Sequence, residues 1–176
     1  MLFCLPSAVG IVFAQDQERP KKNVDLSLKT FRSETYKFQI KYPKHCRVVE
    51  FPGERSDSYI TKFWIPCDHG ETSIHVSKRD ADLTSSETLR SKVIKWMAWD
   101  SLPQEQMMEF TKQMTEFTID SHPAVRWDYL YGAEPPGSPS PAVTVWTFND
   151  EYSYRIGCCC GKKECDGSIA TFSFTE

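Results

Sequence analysis

No stretch of this 176-residue chain approaches the roughly 20 consecutive apolar residues that a membrane-spanning helix requires. An excess of one charge is missing too: 21 basic side chains face 24 acidic ones, a formal net charge of −3. That near balance excludes the basic footprint of a nucleic-acid binder, and the pairs Lys78-Arg79 and Lys162-Lys163 are too isolated to make one. There is no G-x-S-x-G, no H-E-x-x-H, no Walker loop, no G-x-G-x-x-G and no EF-hand pattern. C-x-x-C, internal repeats and low-complexity tracts are absent as well. These absences remove the common hydrolase, nucleotide-binding and redox signatures. What remains is a chain with 40% hydrophobic and 13% aromatic residues, enough to fill the core of one domain.

Residues 1–14, MLFCLPSAVGIVFA, carry no charge, and a polar run beginning QDQERPKKN follows. The apolar stretch has the length of a secretory h-region, and Val12-Phe13-Ala14 suits a small-residue cleavage site. The usual Lys or Arg ahead of the apolar run is missing. This pattern predicts a signal peptide over residues 1–14, a flexible polar lead over 15–33, and a single domain over 34–176. The protein is then exported, periplasmic or secreted, with no transmembrane span once the signal is removed.

Seven cysteines stand at 4, 46, 67, 158, 159, 160 and 165. Removing the signal leaves six, and an even number in an exported chain reads as disulfides. Cys46 and Cys67 lie at the edges of two early strands and could pair. Cys160 and Cys165 flank Gly161-Lys162-Lys163-Glu164, a turn that a bridge could span, which leaves the strained neighbours Cys158 and Cys159. A cross-link between the two halves of the chain is an equal alternative. Cys158, Cys160 and Cys165 could instead contribute to a tetrahedral thiolate metal site, and Cys67 with Asp68 and His69 could seed another. Neither spacing recurs among zinc sites, and Asp-His-Gly in a turn is ordinary loop chemistry.

Alternating apolar and polar residues predict strands at Tyr36–Tyr42, Arg47–Phe51, Tyr59–Ile65 and Thr72–Ser77. Tyr59–Ile65 is apolar on both of its faces, so it reads as a covered central strand, in which Trp64→Ala would cost about 3–5 kcal/mol. Thr84-Ser85-Ser86-Glu87 fits a capping box, and Leu89, Val93, Trp96 and Met97 form the stripe of a helix over about 85–99. Residues 107–119 are ambiguous, since Thr and Phe favour a strand and Met, Glu, Lys and Gln a helix. The expectation is a strand ending at Ile119, which would form a hairpin through Asp120-Ser121-His122-Pro123 with the alternating Val125, Trp127, Tyr129 and Tyr131. A Pro- and Gly-rich loop over 132–141 follows, then strands at Ala142–Phe148, Tyr152–Ile156 and Ser168–Phe174. Hairpin-connected strands around one inserted helix predict an α+β domain. Four of the five tryptophans are expected in the core, with Trp99 as the candidate for an exposed ligand groove.

Three segments, in this order, resemble the PsbP-like family. YKFQIKYPKHCRVVEF is similar to its opening aromatic-x-I-x-YP-x-x-W, and Ile119 to Tyr129 to its I-x-G-x-P-A-x-x-x-x-Y turn and strand. IATFSFTE is similar to its closing I-x-x-S-F strand. Cys46 stands at the usual Trp and Ser121 at the usual Gly, and the cysteines at 158–165 are outside the pattern. The resemblance implies a central antiparallel sheet flanked by helices, a PsbP-like sandwich, and a non-enzymatic binding or assembly role. None of the family's metal residues match here. The expectation is therefore an exported binding or assembly module with no cofactor, whose partner is another exported protein or an envelope component. The alternative is a thiol- or metal-dependent activity centred on residues 158–165.

Overall fold

The computed structural model describes residues 27–53, 59–68, 70–98, 111–131, 140–159 and 162–176. Among the described residues the following strands and helices run in chain order: β1 (Leu28–Ser33), β2 (Phe38–Pro43), β3 (Val49–Pro52), β4 (Thr61–Cys67), β5 (Gly70–Lys78), α1 (Ser86–Ala98), β6 (Thr115–Ile119), β7 (His122–Tyr131), β8 (Ser140–Phe148), β9 (Tyr152–Cys159), α2 (Lys162–Ile169) and β10 (Ser173–Phe174). They build two antiparallel sheets, one of seven strands ordered β3-β4-β5-β9-β8-β7-β6 and one of three ordered β1-β2-β10.

Alternation along the strands sends every second side chain of the large sheet toward the small one. Phe63, Ile65, Ile74, Val76, Val143, Val145 and Ile156 point inward, where they meet Phe38 and Ile40 of β2. Six aromatic rings interlock between the sheets. Phe38 packs edge-on against Phe63 and Tyr154 and stacks on Phe172, while Phe174 leans on Tyr154. Phe31 of β1 closes the layer against Phe63. Tyr154 is 2% exposed, and its hydroxyl donates to the Tyr36 carbonyl at 2.6 Å while accepting from Asn149 Nδ2 at 2.7 Å. Burial pushes its ionisation well above the ordinary tyrosine range.

The outer face of the large sheet is covered differently. Helix α1 lays Leu89 and Val93 on Val125, Trp146 and Phe148, which form a second, smaller core. Its start is capped by Ser85, whose Oγ accepts from Thr88 N, while Thr88 Oγ1 accepts from Ser85 N. The capping pair is thus Ser85 with Thr88, one residue beyond the Thr84–Glu87 box the sequence suggested.

Several expectations are corrected. The last six residues of the supposed lead, Leu28–Ser33, are not outside the fold: they pair along β2 from Leu28↔Pro43 to Ser33↔Phe38. Strand β4 is not covered on both faces. Thr61, Phe63 and Ile65 are buried, but Trp64 lies on the outer face, half-buried, with its indole N–H on Glu71 at 2.6 Å. α1 reaches only the β7–β8 end of that face. Trp96 is 39% exposed, because Leu89 and Val93 take the sheet contact and leave the Lys92 ammonium above its ring. Of the described tryptophans Trp146 alone is buried. Residues 111–113 are helical, so the strand expected over 107–119 shortens to Thr115–Ile119. The turn drawn at 161–164 and the strand drawn from Ser168 give way to helix α2, with Ser173–Phe174 as all that pairs with β2. Residues 1–26 lie outside the described residues.

The β6–β7 hairpin turns on two residues with positive φ, Asp120 at 48° and Ser121 at 69°. Such a two-residue turn favours Gly or Asn at its second position, and serine there is strained. Ser121→Gly is expected to raise stability by about 0.5–1 kcal/mol in urea melts. Phe38→Ala should cost about 3–5 kcal/mol and the half-exposed Trp64→Ala only about 1–2 kcal/mol. Equal losses at the two positions would refute the difference between the faces. Tyr154→Phe leaves a buried amide and a carbonyl without their partner and should cost about 1–3 kcal/mol. A folded-state ionisation above the unfolded value of 10.0 means the neutral phenol is the stabilised form. The gap between wild type and Tyr154→Phe should therefore hold below that value and shrink as pH rises beyond it, checked by urea melts along an alkaline series.

Candidate functional site

Both cysteine pairs at bonding distance join elements that border the inner core. Cys46, in the β2–β3 connection, is bonded to Cys67 at the end of β4, with their Cα atoms 5.0 Å apart. Cys158, on the inner face of β9, is bonded to Cys165 of α2, with Cα atoms 5.6 Å apart. The first pairing is one of the alternatives the sequence left open. The second replaces the Cys160–Cys165 bridge, because α2 turns Cys165 back toward β9. Cys159 is a free thiol on the opposite face of the strand from Cys158. Burial, then the nearby Glu71 charge, pushes its ionisation above the ordinary thiol value of 9.0, the reverse of what a nucleophilic cysteine needs.

The metal candidates fare accordingly. Cys158 and Cys165 hold each other, and so do Cys46 and Cys67, so none of the four offers a thiolate. His45 brings a ring nitrogen within 4.8 Å of the Cys46 and Cys67 sulfurs, a grouping of three ligand atoms whose two sulfurs are already joined. His69, Cys160 and Trp99 lie outside the described residues.

A concavity of about 550 Å³ opens between β6, the neighbouring part of β7, and α2 with the turn that follows it. Phe117 and Ile119 form one apolar wall, and Ile169 and Phe172 the other. Its charged groups are Arg126 from β7, Asp166 from α2 and Asp120 from the hairpin turn. The Arg126 guanidinium is held on both sides. It forks onto Asp128 at 2.6 and 3.2 Å and reaches Asp166 Oδ1 at 2.5 Å. Hydrogen bonding to Asp128, then to Asp166, holds its ionisation above the ordinary arginine value against the opposing effect of burial. Asp120 Oδ2 accepts from the Phe174 backbone N–H at 2.7 Å, which ties the hairpin turn to β10.

None of these charged residues was a sequence candidate, although one signal was present. Arg126 and Asp128 share the alternation of Ala124, so β7 places a cation and an anion on the face that elsewhere is core. Their register partners, Val145 and Val143, belong to that core. The helical partner Asp166 could not be read without knowing that α2 exists.

The chain matches no established family model and no curated protein. Solved structures do resemble it. The solution structure of the cyanobacterial PsbP protein CyanoP from Synechocystis aligns with a TM-score of 0.54 at 10% identity, over 96% of this chain and 98% of that one. A crystal structure of a protein from Bacteroides thetaiotaomicron aligns at 0.52 and 15% identity over 84% of this chain. This chain spans about half of that protein, 48% of its length. The fold is therefore PsbP-like, and sheet-dominated rather than evenly layered with helices. Among the described residues no helix is long and apolar enough to cross a membrane.

The disulfide assignments have a direct chemical consequence. In denaturant without reductant, Cys46, Cys67, Cys158 and Cys165 should resist alkylation while Cys159 reacts, and reduction should expose all of them to peptide mapping. In the native protein Cys159 should alkylate slowly at neutral pH and faster as pH rises. Rapid neutral modification of Cys159 would contradict the raised ionisation of this half-buried thiol.

Proposed function

We propose that this chain is an exported, non-enzymatic binding module, a distant relative of the PsbP-like proteins, and that the concavity between β6 and α2 is where it meets its partner. The observation that carries this reading is the concavity's composition. Four apolar side chains form its walls, and a carboxylate-rich set of charges lies beside them at an end strand of the large sheet. An apolar cleft with a few placed polar groups is the usual form of a binding site. Its described lining residues include aspartates and an arginine but no histidine or cysteine. The arginine is engaged by carboxylates rather than poised to act on a substrate.

Export is supported by the uncharged start of the chain and by the two cysteine pairs, since such bonds persist in oxidising compartments. The expected partner is another exported protein or an envelope component. Thiol- or metal-dependent chemistry at residues 158–165 is the weaker reading, because Cys158 and Cys165 are bonded to each other.

Affinity capture from the envelope and extracellular fractions tests the proposal, with the wild-type chain and a Phe117→Ala variant as parallel baits. A protein retained by the wild type and lost by a variant that melts within a few degrees of it supports the role. Retention that ignores Phe117, or measurable catalytic turnover, would overturn it.

A further inference from the structure

Among the described residues the large sheet ends in two edge strands, β3 and β6, and they are protected unequally. β3 has four residues and ends in Pro52, a residue that blunts an edge. β6 has five residues, Thr-Glu-Phe-Thr-Ile, with no proline or lysine and with strand formers at every position except Glu116. Its one charge, Glu116, is drawn toward α1 by Arg90 at 3.3 Å, away from the concavity. The two-residue turn at Asp120-Ser121 makes Ile119↔His122 the closing hydrogen-bonded pair of the hairpin. Alternation then directs the backbone groups of Ile119, Phe117 and Thr115 to β7, and those of Thr118 and Glu116 to the open edge.

The concavity lies directly beneath this edge, on the side of Phe117 and Ile119. Its charges do not balance. One guanidinium, Arg126, faces the two lining carboxylates Asp166 and Asp120, and it is also engaged by Asp128 beside the lining. An anion entering here would meet an arginine whose donors are already directed at carboxylates. A cation on an aliphatic stem fits better: the stem can lie between Phe117 and Phe172, and the head can reach the aspartates.

We propose that β6 accepts an extended segment of a partner protein as an added strand, and that a lysine or arginine side chain of that segment enters the concavity beneath it. This inference rests on the reading of the chain as a binding module and names the partner's chemistry. Backbone pairing along Thr118 and Glu116 supplies attachment, and the basic side chain supplies selectivity, the usual division in strand addition.

The test uses the full chain and three blocked heptapeptides of alternating threonine and valine whose central residue is lysine, glutamate or norleucine. Binding is read from amide shifts of the hairpin in NMR titrations. The lysine peptide should bind at least about tenfold more tightly than the glutamate one, with norleucine between them. Thr118→Pro removes an outward N–H without touching the β7 ladder, and should abolish binding of all three. Asp120→Asn keeps an acceptor for the Phe174 N–H and should narrow the preference for lysine. Equal binding of the lysine and glutamate peptides overturns the charge assignment. Binding that survives Thr118→Pro in a protein with an unchanged melt overturns the strand assignment, and so does binding of n-butylammonium as tight as that of the lysine peptide. A captured partner indifferent to Thr118→Pro would remove this site while leaving the binding role intact. Peptide binding without any captured partner would do the reverse.

Discussion

One buried side chain ties the two sheets together through the middle of the core. Tyr154 enters the inner core from β9, and its hydroxyl crosses to the Tyr36 carbonyl in the turn between β1 and β2. A hydroxyl this deep would be costly without partners. It has two, because Asn149 donates to it, and Asn149 is in turn fixed by accepting the Glu151 and Tyr152 N–H groups of the β8–β9 turn. The aromatic rings around it give attraction with little direction. The phenol gives direction, so the rings of Phe38, Phe172 and Phe174 settle against one side of Tyr154 rather than sliding past it.

That constraint passes to the concavity through the C-terminal segment. Phe172 belongs at once to the aromatic layer and to the wall beside Arg126. Two further ties hold the segment down. Cys165 is bonded to β9, and Asp166, the next residue, pairs with Arg126 of β7. The short helix α2 would be marginal alone at this length. Its position comes from those side chains and from Ile169 in the core, so one wall of the concavity stands on covalent and electrostatic ties. The other wall is the β6–β7 hairpin, anchored by Asp120 on the Phe174 backbone and by Arg90 of α1 on Glu116 and the Thr111 carbonyl.

Strands were legible where alternation is strict and one face is dry, as in Ile74 and Val76 or Tyr154 and Ile156. The helix with Leu89 and Val93 was legible for the same reason, and the β6–β7 hairpin through its turn residues. Legibility failed where tertiary structure overrides the local signal. β1 reads as a polar lead because its outward residues Leu28, Thr30 and Arg32 are of mixed character, and on the inward alternation Phe31 is the one apolar residue, between Lys29 and Ser33. α2 reads as a cysteine turn because Lys-Lys-Glu-Cys-Asp-Gly-Ser has no apolar stripe and holds its shape through Cys165 and Ile169. Trp64 reads as core because hydrophobicity does not reveal where a covering helix ends.

The concavity illustrates a more general separation. The likeness to CyanoP concerns the path of the backbone, at 10% identity, and a shared path carries no binding chemistry by itself. The chain's own charged set is divided between a family-like segment and a part outside it. Asp166 follows Cys165 in the part of the chain that has no counterpart in the PsbP-like pattern, and Ser121 occupies the turn position where a glycine is usual. Arg126, by contrast, stands inside the resembling segment, at a place the pattern leaves unspecified. A cation on the inner face of a central strand needs compensation to be tolerated there. Asp128 gives it from the same strand, two residues on, which any antiparallel sheet could supply. Asp166 gives it from a helix that this chain staples to β9 with a disulfide. The second carboxylate leaves the group with more negative than positive charge, so the tie that secures the local fold also sets the sign of the charge beside the concavity.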